Sequence, residues 1–535
     1  MTSDRSPTED TEGLKKRVTK TAGFVGLATL LSRITGFLRD MVIAHFFGAR
    51  EVADAFFIAF RIPNLLRRYT AEGALTAAMV PVFSEKLRKD RPGAFRLGRN
   101  LLTLMTMVLV VVVVIGMVAT SLVVMVIAPG FMDDPKLFGL TVDLTWIMFP
   151  YILLISLASA LMGMSNSMGR FFVPATAPVL LNLSIILSAY LLRDMFERPV
   201  MSLAAGVLIG GVAQLALQYS QIVKLGFVYK PLFDFKDKDT LRIGTLMIPA
   251  AIGMAAVEIS LLIDTILASF LPEGSVSYLY YANRVVQLPM GIFGAAVSLA
   301  TLPAMSLEVD DNGAVGRLVD IFSHALRITM LVSIPSMVGI ILLADPITNL
   351  LFERGQFDHV ARAGSVYALV MLAIGLPAFS LIRVAANAFY AMKDTATPAK
   401  VAGWCLLLKF ATSLALIGPM AHGGLALSTS LASTANILIL VWLLRRRLGS
   451  IDGGRIIRST LKMVGAVIVM GSVTLLYQWA FYSLEDSLLI KSIHMALMIG
   501  LSAGAYFAAL AIIGCQEITE FWGMVRGRLA RRRSL

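Results

Sequence analysis

Arginine side chains stand inside long apolar stretches of this sequence, where a charge is costly. On insertion scales, a charge at the centre of a bilayer costs about 2.5–3.5 kcal/mol, so one that is retained needs water, a partner or a ligand. The planar guanidinium group binds phosphate oxygens through two parallel hydrogen bonds. A cavity lined by such groups attracts an anion, and the residues expected to bind it are Arg33, Arg39, Arg67 and Arg284.

Acidic residues share these stretches, and two of them have more than one interpretation. Asp40 follows Arg33 by seven residues on the same stripe of a helix, so an ion pair between them is an alternative to anion binding. Asp264 is a candidate cation or proton site, with a neutral carboxyl or a partner for an arginine as the alternatives. The candidates for gating or coupling are Asp54, Asp40, Glu72 and Asp264.

Other basic residues lie closer to the ends of apolar stretches. A long basic side chain can lie along apolar surface and place its charge at the membrane surface. We interpret four residues in this way: Arg61, Arg327, Arg383 and Lys409.

The sequence lacks the residue patterns typical of a hydrolase, a nucleotide-binding enzyme or a metalloenzyme. The five histidines have no ligand spacing, and neither a nucleophile elbow nor a phosphate-binding glycine loop occurs. Cys405 and Cys515 lie in apolar runs and are expected to be small buried residues without a disulfide. We therefore predict no enzyme activity, no catalytic residue, no cofactor and no metal site, apart from the candidate cation site at Asp264.

The amino-acid composition indicates whether these residues lie in water or in a membrane. Of 535 residues, 57% are hydrophobic and 15% are charged, and the mean hydropathy is +0.78. Soluble domains carry about 25% charged residues, so this chain cannot cover a globule of its size with polar groups. This excludes a soluble enzyme, a nucleic-acid-binding module and a secreted disulfide scaffold. The net charge of +13 is attributed to membrane topology and not to nucleic acid.

Apolar stretches of about 20 residues are long enough to cross the hydrocarbon core as helices. Counting them predicts fourteen spans, four of which contain charges, at about residues 21–48, 53–84, 243–271 and 275–307. If both termini are cytoplasmic, the inner segments hold 31 Lys and Arg residues and the outer segments hold 7. This bias agrees with the positive-inside rule. We predict an all-α, multi-pass membrane protein with both termini in the cytoplasm.

A weak internal repeat divides the spans into two groups. Residues 40–47 match 264–271 at a shift of about 224, and residues 73–84 match 295–306 in the same order. Two pseudo-symmetric six-helix bundles with two extra C-terminal helices follow, and such repeats commonly form a substrate site at their interface. The predicted segments are a tail (1–20), an N-lobe (21–224), a linker (225–242), a C-lobe (243–447), spans 13 and 14 (459–516) and a basic tail (517–535).

Proline and glycine interrupt corresponding spans of the two halves. Such a break frees backbone groups and allows a spanning helix to bend. We therefore expect an inward-facing and an outward-facing state. The predicted hinge positions are Gly36, Pro63, Gly73, Pro289 and Gly291.

Several motifs resemble those of one transporter family. They are residues 31–40 (LSRITGFLRD), 54–74 (DAFFIAFRIPNLLRRYTAEGA), 280–289 (YYANRVVQLP) and 387–398 (NAFYAMKDTATP). They closely resemble the MurJ (MviN) lipid II flippases of the multidrug/oligosaccharidyl-lipid/polysaccharide exporter superfamily. The resemblance covers essentially the whole chain.

That resemblance implies a protein of the bacterial inner membrane. It would move lipid II, the undecaprenyl-pyrophosphate-linked peptidoglycan precursor, from the cytoplasmic to the periplasmic leaflet. Lipid II and membrane lipids are then the expected partners, and a monomer is the expected functional unit. The membrane potential or a monovalent cation is the candidate energy source.

The resemblance also implies roles for particular residues. In the family, cavity arginines at the positions of Arg33, Arg39, Arg67 and Arg284 are important for function, together with the acid at the position of Asp54. We expect Asp54 to pair with Arg39 when the outer side is closed. Two positions that are often acidic in the family are Asn283 and Gln287 here, which makes the cavity more positive.

Within the superfamily, the alternative function is export of another polyprenyl-linked saccharide or of drugs. An exporter of cationic drugs should carry carboxylates in its cavity, whereas the surplus here is arginine. Relatives of that kind usually have twelve spans, so the two extra spans favour the flippase. A membrane enzyme acting on lipid-linked sugars would need catalytic groups, and a scaffold would not need arginines in its spans.

Overall fold

A computed structural model describes residues 7–67, 74–291, 295–308 and 316–518. Every regular element in these ranges is a helix, and none is a strand. This confirms the all-α class. Because lipid offers no hydrogen bonds to the backbone, a chain this apolar satisfies its backbone groups within helices.

The chain divides into two compact units, Met1–Glu273 and Gly274–Leu535. The helices of the first unit are α1 (Pro7–Phe47), α2 (Glu51–Arg67), α3 (Ala74–Lys89), α4 (Arg91–Val118), α5 (Thr120–Ile127), α6 (Pro135–Met148), α7 (Tyr151–Ser167), α8 (Phe172–Leu191), α9 (Met201–Lys224) and α10 (Lys238–Ala268). Those of the second are α11 (Ser275–Pro289), α12 (Ala295–Leu307), α13 (Gly316–Leu342), α14 (Ala344–Leu351), α15 (His359–Ala373), α16 (Leu376–Ala391), α17 (Ala396–Leu448), α18 (Gly453–Phe481) and α19 (Leu488–Ile512).

Nine helical stretches of the described chain are long and apolar enough to cross a membrane. One of them, α17, covers two predicted spans and is interrupted at Ala421, whose φ of 46° and ψ of −130° are not helical. The four predicted spans that contain charges correspond to α1, to α2 with α3, to α10, and to α11 with α12. Helices therefore occur at the fourteen positions that the sequence predicts.

Small residues allow α8 and α9 to pack closely in the first unit. A Cβ atom on Gly206 would lie 2.8 Å from the Cα atom of Ile185, and one on Gly210 would lie 2.9 Å from that of Leu181. Close approach of this kind is a main source of helix association in lipid. Helix α8 also packs against α1, the helix that carries Arg33 and Arg39.

Helix α10 groups with the first unit, although the repeat assigns this span to the second bundle. It packs mainly against α3. Lys86 Nζ lies 2.7 Å from Asp239 Oδ2 near one end of α10, and Gly130 N donates to Ser269 Oγ over 3.1 Å at the other. The lobe boundaries themselves remain a prediction from the sequence.

The two helices outside the repeat, α18 and α19, pack within the second unit. Met463 of α18 and Tyr506 of α19 are buried in one apolar cluster with Leu331 of α13. The Tyr506 hydroxyl donates to the carbonyl oxygen of Leu331 over 3.0 Å. The extra helices are therefore attached to α13 by packing and by a buried hydrogen bond.

Candidate functional site

Arg39, in the second half of α1, is buried among polar groups, with 8% of the residue exposed. Its Nε and Nη2 atoms donate to Asp40 Oδ1 over 3.0 and 2.6 Å, and its Nη1 atom donates to Asn182 Oδ1 over 3.2 Å. The guanidinium carbon lies 6.0 Å from the centre of the Phe60 ring, within reach of a cation–π interaction. One guanidinium group thus contacts side chains of α1, α2 and α8.

Asn182 connects this group back to the preceding turns of α1. Its Nδ2 atom donates to the carbonyl oxygen of Ser32 and to Thr35 Oγ1, both over 3.3 Å. Asn182 was not among the site residues predicted from the sequence. The signal that was present is an amide in the apolar α8, where an unsatisfied polar group would be costly.

Asp40 is completely buried, and its ion pair is with Arg39. Arg33 is exposed on α1 and forms no ion pair within the described part of the chain. The alternative pairing of Arg33 with Asp40 is therefore wrong, because Arg33 is exposed whereas the carboxylate of Asp40 is buried beside Arg39. Gly36, between Arg33 and Arg39, is buried.

Asp54 lies in the first turn of α2 and is 3% exposed. An acidic side chain at this position also interacts favourably with the helix dipole. Arg67 ends the same helix, with Pro63 one turn before it, while Glu72, Gly73 and the side chain of Arg67 lie outside the described residues. The pairing of Asp54 with Arg39 in a closed outer gate remains a prediction.

Arg61 joins α2 to α10. Its Nη1 atom donates to the carbonyl oxygen of Leu261 over 2.8 Å and also contacts the Thr265 hydroxyl. Arg61 is half-buried, and Thr265 is 2% exposed. The interpretation of Arg61 as a snorkelling residue is therefore wrong, because its charged group is bound to a neighbouring helix.

Two acidic residues lie on α10 near this contact. Asp264, the candidate cation or proton site, is half-buried. Glu258, which was not among the residues predicted from the sequence, is 5% exposed. Glu258, Leu261 and Thr265 are spaced by three and four residues, which places them on the face of α10 that meets Arg61. An acid in the middle of an apolar stretch was the signal for Glu258, as it was for Asp264.

In the second unit, Arg284 is half-buried on α11. On the same helix, the Gln287 amide donates to Asn283 Oδ1 over 3.2 Å, so these two positions form a neutral pair one turn apart. Helix α11 ends at Pro289, and Gly291 lies in the π-turn that follows. Movement at these residues, and at the break in the corresponding span of the first half, remains a prediction.

Arg327 of α13 is buried, and its partner is Glu517, which follows α19. Ser459 Oγ donates to Glu517 Oε1 over 2.9 Å, and Cys515 Sγ donates to Oε2 over 2.9 Å. The snorkelling interpretation is wrong for Arg327, because the segment after α19 brings a carboxylate to it.

The snorkelling interpretation is also wrong for Lys409, which is 3% exposed in α17. Arg383 is exposed on α16, as that interpretation requires.

The described ranges contain no group of three His, Cys, Asp or Glu side chains that could hold a metal ion. Cys405 and Cys515 are both buried and free, as predicted. The polar cluster of α1 and α8 instead joins the guanidinium of Arg39, the carboxylate of Asp40 and the amide of Asn182.

A family model described as lipid II flippase MurJ matches residues 43–494. The lipid II flippase MurJ of Burkholderia cenocepacia is 35% identical over 497 residues, which cover 91% of this chain and 95% of that protein. This chain belongs to the lipid II flippase MurJ family. A probable lipid II flippase MurJ of Vibrio cholerae is 33% identical over 526 residues, covering 94% of this chain and 97% of that relative.

Solved structures agree with this assignment. Lipid II flippase MurJ in an inward closed conformation matches with a TM-score of 0.78 and 26% identity, over 91% of this chain and 98% of that one. A multidrug resistance MATE family transporter of the MOP superfamily, in an inward-facing conformation, matches with a TM-score of 0.63 at 14% identity, over 79% and 96% of the two chains. At that identity the likeness shows the fold alone. Membership of the MurJ family confirms that this chain is a transporter and not an enzyme.

The contacts of the Arg39 guanidinium determine what an anion must displace in order to bind to it. The guanidinium is charged and largely removed from bulk water, and its partners include the carboxylate of Asp40 and the amide of Asn182. An incoming anion must therefore compete with Asp40 for the N–H donors of Arg39.

Proposed function

We propose that this chain is a lipid II flippase. It moves the undecaprenyl-pyrophosphate-linked peptidoglycan precursor from the cytoplasmic to the periplasmic leaflet of a bacterial inner membrane by alternating access. The observation that carries the proposal is membership of the MurJ family over most of the chain. The buried Arg39 supports it, because a guanidinium in a membrane helix suits the pyrophosphate of this substrate.

In this proposal the pyrophosphate replaces Asp40 as the partner of Arg39. Charge-assisted hydrogen bonds are worth roughly 1.5–3 kcal/mol each, so several together offset the removal of water from a diphosphate. Arg33, Arg67 and Arg284 contribute further donors to the same anion. Once the substrate has left, Asp40 takes back the guanidinium, so that Arg39 is never buried without a counter-charge.

Coupling to an energy source is assigned to α10. Asp264 and Glu258 are the acids of that helix that lie within its membrane segment, and a monovalent cation or the membrane potential acts on them. The contact from Arg61 to Leu261 and Thr265 passes a movement of α10 to α2, the helix that carries Asp54. Both termini are cytoplasmic, and the functional unit is a monomer. The alternative, export of another polyprenyl-linked saccharide or of drugs, has no support beyond the shared fold.

The proposal is tested by replacing the flippase of a bacterial host with this chain. We expect growth to be restored and lipid II to become accessible to a lipid II-degrading enzyme added outside the cytoplasmic membrane. Arg39→Ala should leave lipid II inaccessible, whereas Arg383→Ala, at an exposed arginine of α16, should behave as the parent. Parent protein that is folded in the membrane but leaves lipid II inside would overturn the proposal.

A further inference from the structure

The segment between α9 and α10, residues 225–237, is bonded to the side of α4. The Arg99 Nε atom donates to the carbonyl oxygen of Val228 over 2.7 Å. Further along the segment, Leu232 N donates to Thr103 Oγ1 over 3.1 Å. Arg99 and Thr103 are one turn apart on α4, which is about 6 Å along the helix axis.

Two more hydrogen bonds attach the segment at the same level of α4. Asn100 Nδ2 donates to the carbonyl oxygen of Asp234, and Asp234 N donates to Asn100 Oδ1, each over 2.8 Å. The contacts from residue 228 to residue 234 thus fall within a single turn of α4, although six residues of extended chain reach about 20 Å. The segment therefore runs across α4 and not along it.

This turn of α4 is where the charged part of the helix ends. Arg99 is the last charged residue of α4, and the uncharged stretch that is long enough to cross the hydrocarbon core begins at Leu101. A segment that crosses the helix at this level lies at the boundary between the lipid headgroups and the hydrocarbon core.

Phe233 and Phe235 lie on the side of the segment that faces away from α4. Each is 61% exposed, whereas Leu232 and Asp234, whose backbone groups bond to α4, are half-buried. Alternating exposure of this kind is typical of an extended chain, in which successive side chains point to opposite sides. Two neighbouring phenyl rings with this exposure would be costly in water, so their position favours an apolar partner.

Charge is also divided between the two sides of this region. The acidic side chains are directed to the protein: Asp239 Oδ2 lies 2.7 Å from Lys86 Nζ, and Asp234 Oδ2 lies 3.6 Å from Arg96 Nη2. The exposed side chains are basic, and they are Lys230, Lys236 and Lys238. An exposed side that combines aromatic rings with ammonium groups is complementary to the surface of an anionic bilayer.

We propose that residues 228–238 are an interfacial anchor whose partner is the cytoplasmic leaflet of the membrane. Phe233 and Phe235 insert between the lipid headgroups, and the three exposed lysines contact anionic phosphates. The predicted topology places the connection between α9 and α10 on the cytoplasmic side. Bound to α4 on one side and to lipid on the other, this connection stays at the membrane surface.

The test measures the depth of residue 235 in the full-length protein, reconstituted into lipid vesicles. Phe235→Cys is labelled with bimane, an aromatic fluorophore, in a Cys405→Ala/Cys515→Ser background, where the serine can still donate to Glu517. Three quenchers are compared: a lipid with a nitroxide near its headgroup, a lipid with a nitroxide deep in its acyl chain, and iodide on both sides of the bilayer. If this background does not fold, both native cysteines are kept, because both are buried.

The matched control is bimane on Lys89→Cys, since the Lys89 side chain is 72% exposed at the end of α3 on the same predicted side of the membrane. We expect the probe at residue 235 to be quenched mainly by the shallow nitroxide lipid, and several-fold more weakly by iodide than the control probe. Phe233→Ser should increase quenching by iodide at residue 235, and no increase would overturn the role of Phe233.

The lysines are tested by comparing neutral vesicles with vesicles that contain phosphatidylglycerol. We expect anionic lipid to increase shallow quenching at residue 235, and Lys230→Gln/Lys236→Gln/Lys238→Gln should abolish this increase. Quenching by iodide as strong as at the control position would overturn the proposal, because the face would lie in water. Protection from iodide and from both lipids would overturn it too, because protein would then cover the face. Stronger quenching by the deep nitroxide than by the shallow one would overturn the interfacial position.

Discussion

Two buried arginines, Arg39 in the first unit and Arg327 in the second, have their charges balanced in different ways. Arg39 pairs with Asp40, the next residue of the same helix, and Asn182 of α8 accepts a further hydrogen bond. Arg327 pairs with Glu517, which is 190 residues away and belongs to the segment after α19. The first ion pair therefore stays within one helix, whereas the second fixes a distant segment to α13.

The difference indicates which group can take part in a conformational cycle. A pair within one helix survives when that helix moves against its neighbours, and its arginine can exchange a carboxylate for a substrate anion. A pair between distant segments must break if those segments separate, which leaves two buried charges without compensation. The Arg39 group is therefore suited to a transport site, and the Arg327 group to a permanent attachment of the C-terminal helices.

The largest expected effect on stability is in the Arg327 group. Glu517→Ala should lower the free energy of unfolding by about 3–5 kcal/mol, because a buried guanidinium loses its counter-charge. The double variant Arg327→Met/Glu517→Leu should recover most of this loss and should transport as the parent does, since apolar side chains of similar size replace a buried pair without penalty. Thermal unfolding in detergent and lipid II accessibility in cells measure the two quantities.

Arg383→Ala serves as the control for this prediction, because Arg383 is exposed on α16. It should change stability by less than about 0.5 kcal/mol. A stable double variant that no longer transports would show that the Arg327 group belongs to the transport cycle, and the contrast with Arg39 would then fail.

Neutralising the ion pair of the first unit should have the opposite outcome for transport. Arg39→Ala should destabilise the protein, because Asp40 is completely buried. Arg39→Met/Asp40→Asn should regain stability but should still transport about 10- to 100-fold more slowly, since it lacks a charge-assisted bond worth roughly 1.5–3 kcal/mol. Arg39→Lys should rescue in part, because it keeps the charge and loses the planar fork. Full transport by the double variant would contradict a role for Arg39 in binding the anion.

These two arginine groups also show which contacts can be predicted from the sequence and which cannot. Arg39 and Asp40 are adjacent in an apolar stretch, so composition and spacing alone predicted a polar site in α1. Asn182 and Glu517 are 143 and 190 residues from their arginines, and no local pattern reports a contact over that distance. For this reason the sequence correctly predicted helices and charge-bearing spans but assigned Arg327 to the membrane surface. Whether Arg284 joins the same anion still depends on the proposed function.

A smaller effect is expected at the contact between α2 and α10. Thr265→Val removes one acceptor of Arg61 and should cost about 1 kcal/mol of stability. Arg61→Met removes both contacts and should cost about 1.5–3 kcal/mol, because a charged donor is lost from a carbonyl group. Thr412→Val is the control, since the Thr412 hydroxyl bonds only to carbonyl oxygens of its own helix. Equal stability of Thr265→Val and Thr412→Val in thermal unfolding would mean that Arg61 does not hold α10 through this hydroxyl.

The smallest expected effect lies outside the membrane, at Asp394 between α16 and α17. Its carboxylate accepts hydrogen bonds from Thr397 N over 2.9 Å and from Thr397 Oγ1 over 2.7 Å, and Arg447 Nη1 lies 2.5 Å away. The bonds from Thr397, followed by the contact with Arg447, lower the pKa of Asp394 from 3.8 to about 2. The carboxylate of Asp394 therefore binds a proton more weakly in the folded state than in the unfolded state. The ionised carboxylate contributes stability above pH 3.8, and this contribution is lost as the pH falls toward 2. Allowing for solvent screening, the contribution is about 1 kcal/mol.

Asp394→Asn should remove this contribution at neutral pH and should flatten the dependence of stability on pH between pH 3.8 and 2. A variant whose pH dependence matched that of the parent in denaturation experiments would contradict this assignment and would leave Arg447 as a surface charge without a measurable role.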